Sequence, residues 1–95
     1  MILSSKQLGV LLTVHAKNED GALVDLDQII ERQSYETNKP SIQFIIRNLV
    51  KKELIFKSGT EVRNQRRKVL FETTATGKKY AEWNKPKSLK EVITE

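Results

Sequence analysis

Apolar residues recur at helical spacing in three stretches, after which the pattern changes to short runs rich in β-branched and aromatic side chains. Ser4-Ser5-Lys6-Gln7 offers a serine N-cap with Gln three residues later, and Leu8, Leu11, Leu12 and His15 follow on one side. This predicts a first helix over about 5–16. Lys17-Asn18-Glu19-Asp20-Gly21 is polar and ends in a glycine suited to positive φ, so it breaks the chain before a brief strand at Leu23-Val24. Asp25 and Gln28 repeat the capping-box spacing, and Leu26, Ile29 and Ile30 give a short second helix that ends near Gln33. Ser34 to Asn38 reads as a turn, and Pro40 falls where a first helical turn tolerates a missing N–H. The third helix is expected over roughly 39–53. Its core side is Ile42, Ile45, Ile46, Leu49 and Val50; Pro40, Phe44, Arg47 and Lys51 form the opposite stripe, flanked by Ser41, Gln43 and Asn48.

Beyond residue 53 the period changes. Leu54 to Lys57 and Lys68 to Thr74 read as two antiparallel strands bracketing a polar loop that opens with Ser58-Gly59. Arg63, Arg66 and Arg67 lie in that loop, and the expectation is that they crowd one exposed tip. Thr74 caps a fourth helix with Tyr80, Ala81 and Trp83 as anchors, interrupted at Asn84-Lys85-Pro86. Residues 85–95 form a short C-terminal segment, helical or frayed, with Leu89, Val92 and Ile93 weakly amphipathic. Helix, short strand, helix, turn, helix and hairpin is the order of a winged helix-turn-helix. The expected fold is therefore α+β: a three-helix core, a two-stranded β-wing and a C-terminal helix, in one domain over 1–84.

Composition narrows the function classes. At 95 residues the chain holds one modest core. Its 38% hydrophobic content and mean hydropathy of −0.49 are ordinary for a globular protein, and no apolar run approaches the roughly 20 residues that span a bilayer. No secretory leader is legible at Met1 to Ser5, and the absence of cysteine removes disulfides, thiolate catalysis and the usual zinc frameworks. The expectation is a cytoplasmic protein without a membrane partner. Charge is uneven: residues 1–38 carry a net −3, residues 39–68 a net +7 and residues 69–95 a net +1. A basic stretch inside a folded pattern points to a polyanion, because neutralising phosphates releases counterions.

The candidate contacts lie on the third helix and the wing. A B-DNA major groove admits one α-helix, and Lys39, Ser41, Gln43, Phe44 and Arg47 occupy its exposed N-terminal half. Gln can bridge adenine, Arg can bridge guanine, and an exposed Phe can touch a thymine methyl. Lys51 and Lys52 suit phosphates. Arg63, Arg66, Arg67 and Lys68 give the wing a charge density that counterion release rewards; the alternative is a solvated hairpin tip. Phe44 suits a protein interface equally well. His15 lies on the apolar stripe without a second ligand at matching spacing, so it reads as a half-buried structural histidine. The acidic pairs Glu19-Asp20 and Asp25/Asp27 fall in a loop and at a helix start, where the dipole favours carboxylates. No catalytic residue, metal ligand or cofactor is expected, and the chain is not read as an enzyme.

Over about residues 25–83 the chain resembles the MarR and staphylococcal accessory regulator group of winged-helix transcription factors. Asn38-Lys39-Pro40-Ser41-Ile42 through Leu49 resembles that group's recognition helix, and Val50 to Ile55 its helix-to-wing junction. Gln65-Arg66-Arg67-Lys68 stands where the family carries an Asp-Arg-Arg wing motif, and Thr74-Ala75-Thr76-Gly77 is similar to its threonine-to-glycine entry into the next helix. The resemblance implies a sequence-specific double-stranded DNA-binding regulator with Arg67 as its minor-groove arginine. Gln65 departs from the acidic residue of the motif, and little of the family's long terminal helices is present, so no small-molecule effector is implied. A homodimer is expected, through Tyr80, Trp83 and the C-terminal segment or through the first helix, since one small module seldom fills a whole site. Two alternatives stay open: a winged-helix protein interaction module, and a plasmid or phage segregation or replication factor that binds DNA.

Overall fold

Capping residues start the first three helices. In the structure, a computed structural model that describes residues 3–84, Ser4 Oγ accepts from Gln7 N at 3.1 Å while Ser4 N donates to Gln7 Oε1 at 3.0 Å. That box opens α1 (Ser5–Ala16). Asp25 and Gln28 form the same reciprocal pair at the start of α2 (Leu26–Glu31), directly after the two-residue strand β1 (Val24–Asp25). Asn38 Oδ1 accepts from Ser41 N at 3.0 Å and starts α3 (Lys39–Lys51), with Pro40 in its first turn. The second and third helices each stop two residues earlier than their apolar patterns suggest.

The end of α3 fixes the entry into the wing. Glu53 takes a left-handed φ of 60°, its N–H donates to Val50 O at 2.9 Å, and Leu54 N–H donates back to Leu49 O at 3.0 Å. This is a Schellman closure, with buried Leu49 and Leu54 as its apolar contact. The chain then runs into β2 (Ile55–Arg63), turns at Asn64-Gln65 and returns as β3 (Arg66–Thr73). Both turn residues have left-handed φ, 51° and 64°, the requirement of a two-residue type I′ hairpin turn.

The hairpin corrects the sequence-based expectation of a polar loop. Most of residues 58–67 are paired strand, in continuous register from Gly59↔Leu70 to Arg63↔Arg66. Ser58-Gly59 is a bulge inside β2, where Gly59 takes a φ of 122°, rather than the opening of a loop. β1 adds to the free edge of β3 through Val24↔Phe71 and Asp25↔Leu70, so the wing grows from a three-stranded antiparallel sheet in the order β1-β3-β2.

One core joins these elements. Val10, Leu11 and Val14 of α1 meet Ile29 of α2, Ile42, Ile45, Ile46 and Leu49 of α3, and Ile55 and Phe71 of the sheet. Full burial of a side chain such as Ile42 or Leu49 is worth about 1.5–3 kcal/mol. Val50 lies at the margin, 36% exposed. The last described helix, α4 (Ala75–Asn84), is anchored by buried Gly77 and Ala81 and by half-buried Tyr80. Trp83 does not anchor it: the indole is 89% exposed, on the far side of the helix from Ala81. Residues 85–95, including the expected C-terminal segment with Leu89, Val92 and Ile93, lie outside the described residues.

Candidate nucleic-acid interface

Helical periodicity divides the exposed surface of α3 in two. Lys39, Gln43 and Arg47, with Ile46 and Val50 beneath them, line a groove of about 590 Å³ between α3 and the wing. Its opposite wall is Lys57, Arg66, Arg67, Lys68, Val69 and Phe71, and Leu26 and Asp27 close it near α2. Six cations face one carboxylate there, and five of the six, Lys39, Arg47, Lys57, Arg66 and Arg67, are solvent-exposed. Ser41, Phe44 and Lys51 are exposed on α3 but lie outside this groove, with Phe44 60% accessible. Lys57 escaped the sequence reading as a site residue. Only its pairing with Phe71, across a strand known to enter the core, signals that it belongs to the groove wall.

Strand alternation sorts the wing cations as well. Arg67, Val69 and Phe71 share one face of β3, and Arg66, Lys68 and Leu70 share the other. Arg63, opposite Arg66, lies on the second face, and it is not at an exposed tip. Its guanidinium reaches back to the start of α2: Nη1 donates to Asp25 Oδ2 and to Gln28 Oε1, each at 3.0 Å, and Nη2 donates to Leu23 O at 2.9 Å. Nε donates to Glu61 at 2.6 Å. Four of the five N–H donors of an arginine are thereby used. The side chain is 18% exposed and that of Asp25 only 6%. Burial alone would lower the Arg63 pKa; the bonds from Glu61 and Asp25 outweigh it and move the pKa above the ordinary arginine value.

Lys68 forms a second, more open tie, to Asp27. That bond holds the Asp27 carboxyl below its ordinary pKa, against the opposing effect of burial. Asp25 and Asp27 thus serve the wing as well as the helix dipole, a role the acidic pair did not signal by spacing alone. His15 is half-buried beside the core. Among the described residues no group of three or more His, Asp or Glu side chains could hold a metal ion, and no helix is long and apolar enough to cross a membrane.

No protein-family model and no curated protein matches the sequence. Solved structures do. AF1382 from Archaeoglobus fulgidus superposes with a TM-score of 0.65 at 19% identity, over 98% of this chain and 89% of that one. S. aureus MepR in complex with DNA gives 0.65 at 24% identity, over 97% of this chain and 61% of MepR. A mutant MepR from a multidrug resistant S. aureus clinical isolate gives 0.69 at 17% identity, over 97% and 58%. The chain spans about three-fifths of the MepR chains it matches. At these identities the likeness is one of fold: the chain, with its helix, short strand, two helices and long hairpin, is a winged helix and shares that fold with AF1382 and MepR.

Proposed function

We propose that the protein binds double-stranded DNA sequence-specifically, as a homodimer, and regulates transcription. The observation that carries the reading is the groove between α3 and the wing, where five exposed cations, Arg47 among them, stand around Gln43. An exposed helix beside a basic hairpin suits a duplex whose major groove receives α3 while the hairpin follows the backbone. Gln43 and Arg47 have the donors and acceptors to read an adenine and a guanine, each good bidentate contact being worth about 1–3 kcal/mol of discrimination. Lys39, Lys57, Arg66 and Arg67 bind phosphate or the minor-groove edge. MepR, which shares the fold, has been solved in complex with DNA, and this supports the DNA-binding reading. The activity is one of binding rather than catalysis.

The test is a fluorescence-anisotropy titration of duplexes over a salt series. If Lys39, Lys57, Arg66 and Arg67 each neutralise one phosphate, the slope of log K against log salt is about −3 to −4 per protomer. Arg66→Ala/Arg67→Ala is expected to weaken binding at least tenfold and to make the slope shallower by about 2. Binding that is absent, or indifferent to salt, overturns the reading. The exposure of Phe44 favours a second reading, in which α3 holds another protein. In that case Phe44→Ala abolishes partner capture and the two arginines are dispensable.

A further inference from the structure

We propose that Arg63 is a positioning residue, which with Asp25 clamps the tip of the wing to the N-terminal cap of α2 and thereby sets the pose in which Arg66 and Arg67 meet a duplex. The proposal rests on the DNA-binding reading for its purpose and on geometry for its substance. An arginine directly beside a hairpin turn ordinarily extends into water, where an ion pair contributes little. Arg63 instead spends its donors on four acceptors, three of them on residues 23–28. Those acceptors are themselves fixed. Asp25 Oδ1 already accepts from Gln28 N at 3.0 Å, leaving Oδ2 for Arg63. Gln28 Oε1 accepts in addition from Asp25 N and from Asn18 Nδ2, each at 3.2 Å. Asn18 in turn takes a bond from Arg32. The wing tip is therefore seated on a preorganised polar network.

Two consequences follow for the cations left free. A guanidinium with its donors engaged in this way cannot take a phosphate without breaking the clamp, so Arg63 itself is not a DNA contact. Arg63 also faces Arg66 directly across the strands, a like-charge pair that would splay the hairpin end. Drawing Arg63 down onto Asp25 and Glu61 neutralises one member and leaves Arg66 available. Lys68 with Asp27 supports the same face from the returning strand.

The experiment uses Asp25→Asn, because asparagine keeps the N-cap of α2 while removing the charge that holds Arg63. The expected result is backbone amide exchange at least about tenfold faster over residues 60–69 and unchanged in α3, with duplex affinity lowered about five- to tenfold. The sign is diagnostic: deleting a carboxylate from a DNA-binding protein would by charge alone tighten binding. Arg63→Met should reproduce both effects, Arg63→Lys should recover part of each, and adding Asp25→Asn to Arg63→Met should weaken binding no further. If Asp25→Asn does not fold, the comparison of Arg63→Met with Arg63→Lys carries the same two readouts. Tighter or unchanged binding by Asp25→Asn with unaltered wing exchange overturns the clamp. So does an Arg63→Met protein that loses about one phosphate from the salt slope while its wing stays protected, since Arg63 would then be a direct contact. A wild-type protein that binds no duplex overturns the DNA-binding reading, and the exchange measurements still decide the clamp.

Discussion

Thr74 and Gly77 show how two small residues set the seat of a helix. Thr74 Oγ1 donates to Glu53 O at 2.6 Å and accepts from Gly77 N at 2.9 Å, and Thr74 N donates to Leu54 O at 3.0 Å. The first turn of α4 is thereby pressed onto the carbonyl that follows the α3 cap. A Cβ on Gly77 would stand 1.9 Å from Leu54 O, so even a methyl group has no room. Gly77→Ala is expected to destabilise the protein by about 1–3 kcal/mol, since backbone on both sides must shift. A urea melt with an unchanged midpoint would refute the close approach. The Thr74 cap was readable in the sequence because its bond from Gly77 N is local to the next turn, whereas the contacts with Glu53 and Leu54, 20 or 21 positions earlier, were not. Arg63 was not readable in the same way: its partner Asp25 lies 38 positions earlier, and a charged residue beside a turn carries no mark of what it will touch.

At the scale of elements, the helices were the legible part. Capping pairs and 3.6-residue apolar spacing are local signals, and the capping boxes at Ser4 and Asp25 and the exposed stripe of α3 follow from them, whereas Asn38, the cap of α3, reads only as the end of a turn. The wing was legible only at its base. Between Thr60 and Arg66 neither face of the hairpin enters the core, so burial imposes no two-residue alternation on the sequence and the strands read as loop. Pairing, not burial, makes them strands, and the turn carries much of that specification. Gln65 occupies a left-handed position that costs a side-chain-bearing residue about 1–2 kcal/mol and that glycine adopts freely. Gln65→Gly, which creates the favoured Asn-Gly turn, is expected to slow amide exchange across residues 60–69 and to raise the melting temperature by a few degrees. Unchanged or faster exchange there would count against the type I′ geometry. The hairpin also explains the sorting of charges, since alternation along β3 sends Arg67 to one face and Arg66 and Lys68 to the other.

At the scale of the molecule, Phe44 and Trp83, the two most exposed aromatic side chains among the described residues, lie on different elements and call for different partners. Trp83 borders an apolar groove with Leu3, Leu8 and Tyr80, formed where the start of α1 meets α4. The groove lies away from the residues that line the basic groove, so a second copy docked there leaves α3 and the wing free. Sedimentation of the wild type at micromolar concentration is expected to show a dimer and Trp83→Ala a monomer, with weaker binding to a two-half-site duplex and little change on a single half-site. Equal sedimentation of the two would place the dimer contact elsewhere. Composition and charge distribution had indicated the basic centre of the chain but not its shape, because the groove is made by residues from positions 26 to 71 brought together by the sheet.

The clamp between Arg63 and Asp25 also bears on the order of assembly. It closes 38 residues of chain, and such a contact costs loop entropy before it contributes stability. The cap of α2 and the edge strand β1 must already stand for Arg63 to find its acceptors. A contact of this range is expected to close after the local cap of α2, so the pose of the wing tip depends on the helix it is seated on rather than on the hairpin alone.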